Sequence, residues 1–291
     1  MKPYKFTIAL FLFSVILSAC QKEFLPEQVP FVRKPDSTYI DMVYYIDSSA
    51  TSNDTFRIIS FQYDDDRRVV RQEMQLYSNH LLYGRATKIF YYNGSDSLPF
   101  KTYATARSDD RDTLTQFFSY NNEGRKTMDS TYSSKRESTG SYYRIIDVFS
   151  FKYEANMVYG VYKQIFAYPE NFRDPYTQYD TVTLDIANQP IVMIYDDNQN
   201  LPGARGTRLL AYENSRNPFV RLNIFNTLGV ASTDNDFLRS YSNISSLTSP
   251  GSQPVHFDYT FISGGRVDRR TTIDALRPNL YHILHFTYKT L

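Results

Sequence analysis

The side chains best able to do chemistry in this sequence are few in kind: four His, one Cys and 31 carboxylates. Two of the histidines form His282-x-x-His285, but in an extended segment residues three apart point to opposite faces. They cannot share a metal as helical histidines four apart do, and His282, alternating with Leu284 and Phe286, is expected to be a hydrogen-bonded core histidine. Oxygen ligands for a hard cation occur at Asp64-Asp65-Asp66 and, at alternate positions, at Asp196, Asn198 and Asn200. The second run has Leu201 where an EF-hand loop needs Gly, and Asp and Asn also serve turns without any metal. Asp196, Asn198 and Asn200 stand as the candidate metal ligands, and no cofactor is expected. Asp147 shares an alternating face with Tyr143, Ile145, Phe149 and Phe151. A carboxylate among aromatics either titrates upward or finds partners; Tyr hydroxyls or backbone amides are the expected ones. A glycosidase needs two carboxylates across a cleft, yet with 31 acidic residues proximity alone proves little. No Gly-x-Ser-x-Gly elbow, phosphate loop or dinucleotide fingerprint occurs, so no catalytic residue is assigned.

Cys20 has another use. Lys2 and Lys5 form a positive head, Phe6 to Leu17 is almost continuously apolar, and small residues lead up to the cysteine. That order is a signal peptide, and its apolar stretch is shorter than the roughly 20 helical residues that span a bilayer. Leu17-Ser18-Ala19-Cys20 resembles the lipobox read by lipoprotein signal peptidase. The resemblance implies cleavage after residue 19, a diacylglyceryl group on the Cys20 sulfur and acylation of the freed amine. Each buried methylene contributes roughly 0.8 kcal/mol, so two or three chains hold stably. The expected partner is therefore a membrane, reached through lipid on Cys20. With its one cysteine lipidated the chain keeps no thiol for a disulfide, a nucleophile or a thiolate metal site.

Composition narrows the rest. Lys and Arg total 32 against 31 Asp and Glu, so no basic footprint for nucleic acid exists. Tyr (26) and Phe (21) are abundant and Trp is absent, a bias that favours pleated, half-buried surfaces. About 270 residues follow the leader, enough for one large β domain.

Pro26, Pro30 and Pro35 resist both helix and sheet, so residues 20–37 are expected to be a tether and the folded body to start near Thr38. From there apolar residues alternate up to a Tyr, which Asp, Asn or Glu follows to open a turn. Ile59, Phe61 and Tyr63 precede Asp64; Phe90 and Tyr92 precede Asn93-Gly94; Phe118 and Tyr120 precede Asn121-Asn122-Glu123-Gly124; Phe149, Phe151 and Tyr153 precede Glu154. Ile191, Met193 and Tyr195 before Asp196, and Tyr212 before Glu213, read as later copies. Tyr63, Tyr92, Tyr120 and Tyr153 stand 29, 28 and 33 residues apart, a period that fits a hairpin of two strands. Val255, Phe257, Tyr259 and Phe261 alternate before the apex Ile262-Ser263-Gly264-Gly265-Arg266, and Leu280 to Tyr288 gives a last strand. The expected fold is all-β, an antiparallel meander of repeated hairpins forming an open twisted sheet or partly closed barrel, in a single domain over 38–291. Alternation fails over 214–254, which predicts a strand-free insertion with a short helix near Arg221 to Leu228 or Asp234 to Tyr241.

Tyr120-Asn121-Asn122-Glu123-Gly124-Arg125 resembles the Tyr-Asp repeat of bacterial cell-surface proteins, whose units form hairpins in a continuous antiparallel sheet. Of the turns, only this one shows the full Tyr, amide, Gly, Arg signature. The lipobox, the Pro-rich tether, the Tyr-ended strands and Tyr212-Glu213-Asn214 leading to Asn217-Pro218-Phe219 together resemble uncharacterised lipoproteins of the Bacteroidota. That likeness implies a fold and an address at the outer membrane, periplasmic or surface-exposed, and no activity. Gln21-Lys22-Glu23 partly matches the export signal of that phylum, while Asp96-Ser97, Asp112-Thr113 and Asp180-Thr181 resemble its O-glycosylation acceptors.

Three functions remain open. The first is a non-catalytic binding or structural module of the envelope, with its specificity in the 214–254 insertion and a binding surface at Asn217, Phe219 and Asn243. The second is a glycan-binding component of a polysaccharide uptake system, against which the absence of Trp weighs; its partner would be a glycan or an envelope protein. The third, a hydrolase, has no supporting constellation.

Overall fold

The structure, a computed structural model, describes residues 38–49, 53–106, 112–136, 142–168, 176–186, 189–197, 205–219, 242–249, 251–274 and 280–291. Alternation of apolar and polar residues dominates these segments and produces strands almost throughout. They are β1 (Thr38–Ser49), β2 (Asn53–Tyr63), β3 (Val69–Ser78), β4 (Leu81–Tyr91), β5 (Lys101–Ala106), β6 (Asp112–Tyr120), β7 (Lys126–Arg136) and β8 (Tyr142–Glu154). There follow β9 (Met157–Tyr168), β10 (Tyr176–Leu184), β11 (Pro190–Asp197), β12 (Arg205–Arg216), β13 (Ser242–Thr248), β14 (Val255–Ile262), β15 (Arg266–Asp274) and β16 (Leu280–Thr290). Each strand pairs antiparallel with its sequence neighbours, and β16 returns to pair with β1, closing a barrel. The alternative of an open sheet is thereby excluded: eleven residue pairs from Thr38↔Thr290 to Ser49↔Leu280 form the seam. Closure removes the two edges that an open sheet would present to other chains.

Inner and outer faces follow from burial. Val43 and Tyr45 of β1, Ile59 and Phe61 of β2, Phe90 of β4, and Leu284 and Phe286 of β16 form one buried cluster on the inner face. Val158, Val182, Leu184, Met193, Leu210 and Ile244 form a second on β9 to β13. Every strand contributes alternate residues to this face because its side chains alternate.

Three of the turns from even to odd strands, those after β2, β6 and β10, share one chemistry. Asp64 donates its N–H to the Arg68 carbonyl and accepts the Arg68 N–H on its carboxylate. Asn121 with Arg125, and Asp185 with Gln189, repeat the same reciprocal pair. The residue before the end of the first two turns takes positive φ, 63° at Arg67 and 71° at Gly124. Arg68 thus occupies the place of Arg125, a correspondence hidden in the sequence because Arg67 stands where the signature has Gly.

Two expectations are corrected. Residues 214–254 are not one strand-free insertion: β12 continues through Arg216, and Ser242–Thr248 is β13, bonded to β12 and β14. The two candidate helices, Arg221 to Leu228 and Asp234 to Tyr241, lie outside the described residues, as do Cys20 and the tether. Tyr195 is not a copy of the repeat tyrosine, because it lies on an odd strand, opposite Asp180. Its true counterpart is Leu184, which precedes the capping Asp185.

Candidate functional site

The inner wall is built in layers. On every even strand except β10 the inner face ends near a tyrosine, and each tyrosine donates its hydroxyl to a carbonyl of the preceding segment. Tyr63 bonds Ile40, Tyr92 bonds Val69, Tyr120 bonds Pro99, Tyr153 bonds Lys126, Tyr212 bonds Pro190, Tyr259 bonds Ile244 and Tyr288 bonds Val267, all at 2.5–2.8 Å. Arginines at the starts of odd strands cover some of these rings: Arg68 over Tyr92 at 4.7 Å, Arg125 over Tyr153 at 5.4 Å and Arg266 over Tyr288 at 5.5 Å. Burial, with Asp41 and Tyr39 adding to it, pushes the Tyr63 phenol up; burial also raises Tyr92 and Tyr212. Two residues before the tyrosines stand Phe61, Phe90, Phe118, Phe151, Phe257 and Phe286, with Leu210 before Tyr212. The tyrosine end is therefore lined by rings.

Further along the strands the inner wall turns polar. On β4 to β7, Lys88 donates to the Gln116 amide oxygen at 3.2 Å, and Gln116 donates to both oxygens of Asp129 at 2.8 and 2.9 Å. Lys126, buried like Asp129, reaches the same carboxylate at 3.2 Å. Loss of hydration, and then the neighbouring Lys126, push Lys88 down to about 8, with Asp129 pulling the other way. On β8 to β10, Asp147 accepts from the Tyr162 hydroxyl at 2.7 Å and from Gln164 at 2.9 Å, beside the stacked Phe149 and Tyr162 rings at 4.5 Å. Gln178 bonds Asp180 at 2.8 Å. The partner expected for Asp147 is thus present as a phenol, joined by a side-chain amide. These groups offer donors and acceptors for hydrogen bonding.

The outer wall carries charge. Arg71, Glu73, Arg85, Lys101, Arg144, Lys152, Lys163, Asp258 and Arg269 occupy outward register positions between Ser, Thr and scattered apolar residues. A barrel that spans a bilayer shows the reverse, an apolar outer band about 25 Å tall around a polar interior. Here the buried apolar clusters are inside together with Lys88, Gln116, Asp129 and Asp147, while the outside mixes its charges with exposed Tyr91, Phe117, Tyr132, Tyr159, Ile165 and Tyr179.

The sequence-derived site residues separate. Asn217, Phe219 and Asn243 are 7, 2 and 3 % exposed, so they lie in the interior rather than on an exposed surface. Phe219 packs edge-on against Phe286 at 5.3 Å and joins the inner cluster, while the Asn217 side chain accepts the Phe219 N–H. Asn243 donates to Ser215 at 2.6 Å, and Ser215 to Glu213. Asp196 pairs in register with Tyr179 and Arg205; Asn198 and Asn200 lie outside the described residues. Asp64 and Asp66 both engage Arg68, at 2.7 and 3.4 Å. No group of three or more metal-ligating side chains converges among the described residues. His282 and His285 do face opposite ways. His282 is hydrogen-bonded to Asp47 at 2.5 Å, but at 47 % exposure it is not a core residue; His285 contacts Tyr44 on the outer face.

No family model and no curated protein matches the chain. Among solved structures, a porin-like protein from Bacteroides vulgatus ATCC 8482 aligns with a TM-score of 0.51 at 10% identity, over 87% of this chain and 100% of that one. A porin-like protein from Bacteroides uniformis ATCC 8492 aligns with a TM-score of 0.51 at 11% identity, over 86% and 98%. The likeness is one of fold: a closed antiparallel barrel.

Proposed function

We propose that the protein is a lipid-tethered barrel of the cell envelope, anchored through Cys20 and acting as a non-catalytic binding module with its body in water. The observation that carries this reading is the pairing of Leu17-Ser18-Ala19-Cys20 with a barrel whose outer wall is charged. A wall bearing Arg71, Glu73, Arg85 and Lys101 on adjacent strands fits poorly in hydrocarbon, where an arginine or lysine costs about 2–4 kcal/mol at the midplane. Lipid on Cys20 supplies the membrane attachment that the wall cannot. The likeness to porin-like proteins of two Bacteroides species supports an envelope address. Cys20→Ser should abolish acyl labelling and leave the leader uncleaved. Unchanged labelling and processing would overturn the reading.

A further inference from the structure

The sixteen described strands make a ring wider than its own side chains fill, and closed barrels of that size enclose water. One end of this one is shut. Phe219 follows β12, yet its ring packs on Phe286 of β16 and belongs to the inner cluster of Val43, Ile59 and Phe61, so the chain crosses the tyrosine end inside the wall. The other end meets solvent: the inward-facing Asp47 and His282 are 44 and 47 % exposed, whereas Val43, earlier on the same face of β1, is fully buried. Between floor and rim, two stretches of polar inner wall differ. On β4 to β7 the network is closed on itself: Asp129 is buried, Gln116 donates to both of its oxygens, Lys126 binds it too and also covers the Phe118 ring at 4.4 Å. On β8 to β10, Asp147, Phe149, Tyr162, Gln164 and Gln178 are half-buried. Phe149 and Tyr162 stack on each other outside both buried clusters. The Tyr162 hydroxyl and the Gln164 amide both donate to Asp147 Oδ1, and among the described residues no donor reaches Oδ2.

We infer that this inner wall of β8 to β10 is a binding site for a neutral polyhydroxylated ring, such as a hexose unit, which enters from the end opposite the tyrosines. The π face of an aromatic ring is negative and attracts the C–H groups on the apolar face of a sugar. Asp147 Oδ2 accepts a ligand hydroxyl in a charge-assisted bond. The side-chain amides of Gln164 and Gln178 both donate and accept, which matches hydroxyls that do the same. Rings with a few convergent polar groups, in the mouth of a barrel, are the usual composition of a small-ligand site. An organic cation would use the carboxylate and the rings but leave the two amides without a role. The inference deepens the reading of the protein as a binding module and rests on it.

The test titrates the full processed protein with maltotriose, xylotriose and chitotriose, and separately with choline, by calorimetry and saturation-transfer NMR. At least one of the three sugars should bind, with saturation strongest on its ring C–H protons. Asp147→Asn, which keeps an acceptor for the Tyr162 hydroxyl and removes the charge, should weaken that binding about tenfold. Phe149→Leu should weaken it severalfold. Thr87→Ala, on the outer wall between Glu73 and Thr105, should leave it unchanged. If a melt shows that Asp147→Asn does not fold, Gln178→Ala takes its place, with the same direction expected. Failure of all three sugars to bind overturns the inference, as does undiminished binding by a folded Asp147→Asn or Gln178→Ala protein. Binding of choline in their place overturns the sugar while leaving a binding module. Acyl analysis of Cys20 in the same samples reads the tether separately, and the titration decides the inner wall whether or not lipid is found.

Discussion

Inside a barrel wall a lysine must solvate its charge with what neighbouring strands supply. For Lys88 that is the Gln116 amide oxygen, the Phe90 ring at 5.6 Å and an Asp129 already engaged by Lys126. The ammonium is therefore less stable in the fold than in the unfolded chain, and its pKa falls to about 8. Between that value and the unfolded value near 10.4, the unfolded state binds more protons, so stability rises with pH. Above about pH 10 the sign reverses, because Tyr63, Tyr92 and Tyr212 resist ionisation in the fold and ionise readily once unfolded. The melting temperature should climb from pH 7.5 to about 9.5 and then drop. Lys88→Met should be a few degrees more stable at pH 7, by about 1–2 kcal/mol, and should lose the climb. A flat profile in the wild type would show that Lys88 is hydrated after all. Of these side chains, Asp147 was legible in sequence, since a carboxylate among aromatics needs partners. Lys88 was legible only as a residue on the face of Phe90 and Tyr92; that it meets Gln116 and, through it, Asp129 depends on the pairing of β4 to β7.

The hairpin is the unit that the sequence states most openly. Ile59, Phe61 and Tyr63 with Asp64 encode an inner face and its turn within six residues, and both are local, whereas the Tyr63 hydroxyl reaches Ile40 on the neighbouring strand. What is local can be read; what depends on a neighbour cannot. Tyr195 followed by Asp196 imitates the unit, and only pairing with Asp180 on β10 shows that it stands at the opposite end. Ser242–Thr248 reads as coil because Ser and Asn dominate it, yet Ile244 and Asn243 are buried and the segment completes the wall between β12 and β14. Arg67 is the informative exception in the turns. It adopts φ 63° where its counterpart Gly124 has 71°, and a side chain in that region costs roughly 1 kcal/mol. Arg67→Gly should raise stability by up to that amount, offset in part by the added freedom of the unfolded chain. Gly124→Ala should lower it by a similar amount, and Asn121→Ala, which removes the acceptor for the Glu123 and Arg125 N–H groups, by about 1 kcal/mol. Thermal melts of the three variants check the set. If Arg67→Gly destabilises, the cation at 67 contributes more than its backbone costs.

At the scale of the whole molecule, closure and polarity belong together. The β1–β16 seam joins residues some 250 positions apart, as Thr38↔Thr290 shows, and neither strand carries a mark that names the other, which is why an open sheet and a barrel were equally consistent with the sequence. Once closed, the barrel must choose which face of every strand meets solvent, and the choice fixes what kind of barrel it is. Phe90 and its neighbour Ile89 test that choice at one place, because they are consecutive residues of β4 and point to opposite sides. If the outer wall meets water, Ile89→Lys should change stability by less than about 0.5 kcal/mol, the usual range for surface substitutions. Phe90→Lys should unfold the protein, since it buries an unpaired charge at a position 5 % exposed and removes a ring from the inner cluster. In a barrel embedded in lipid the costs would invert: a lysine at 89 would carry a penalty of about 2–4 kcal/mol and a lysine on the lumen side would be tolerated. Circular dichroism melts of both variants in detergent-free buffer separate the two cases. Loss of fold in Ile89→Lys with retention in Phe90→Lys would reverse the assignment of inside and outside for this barrel.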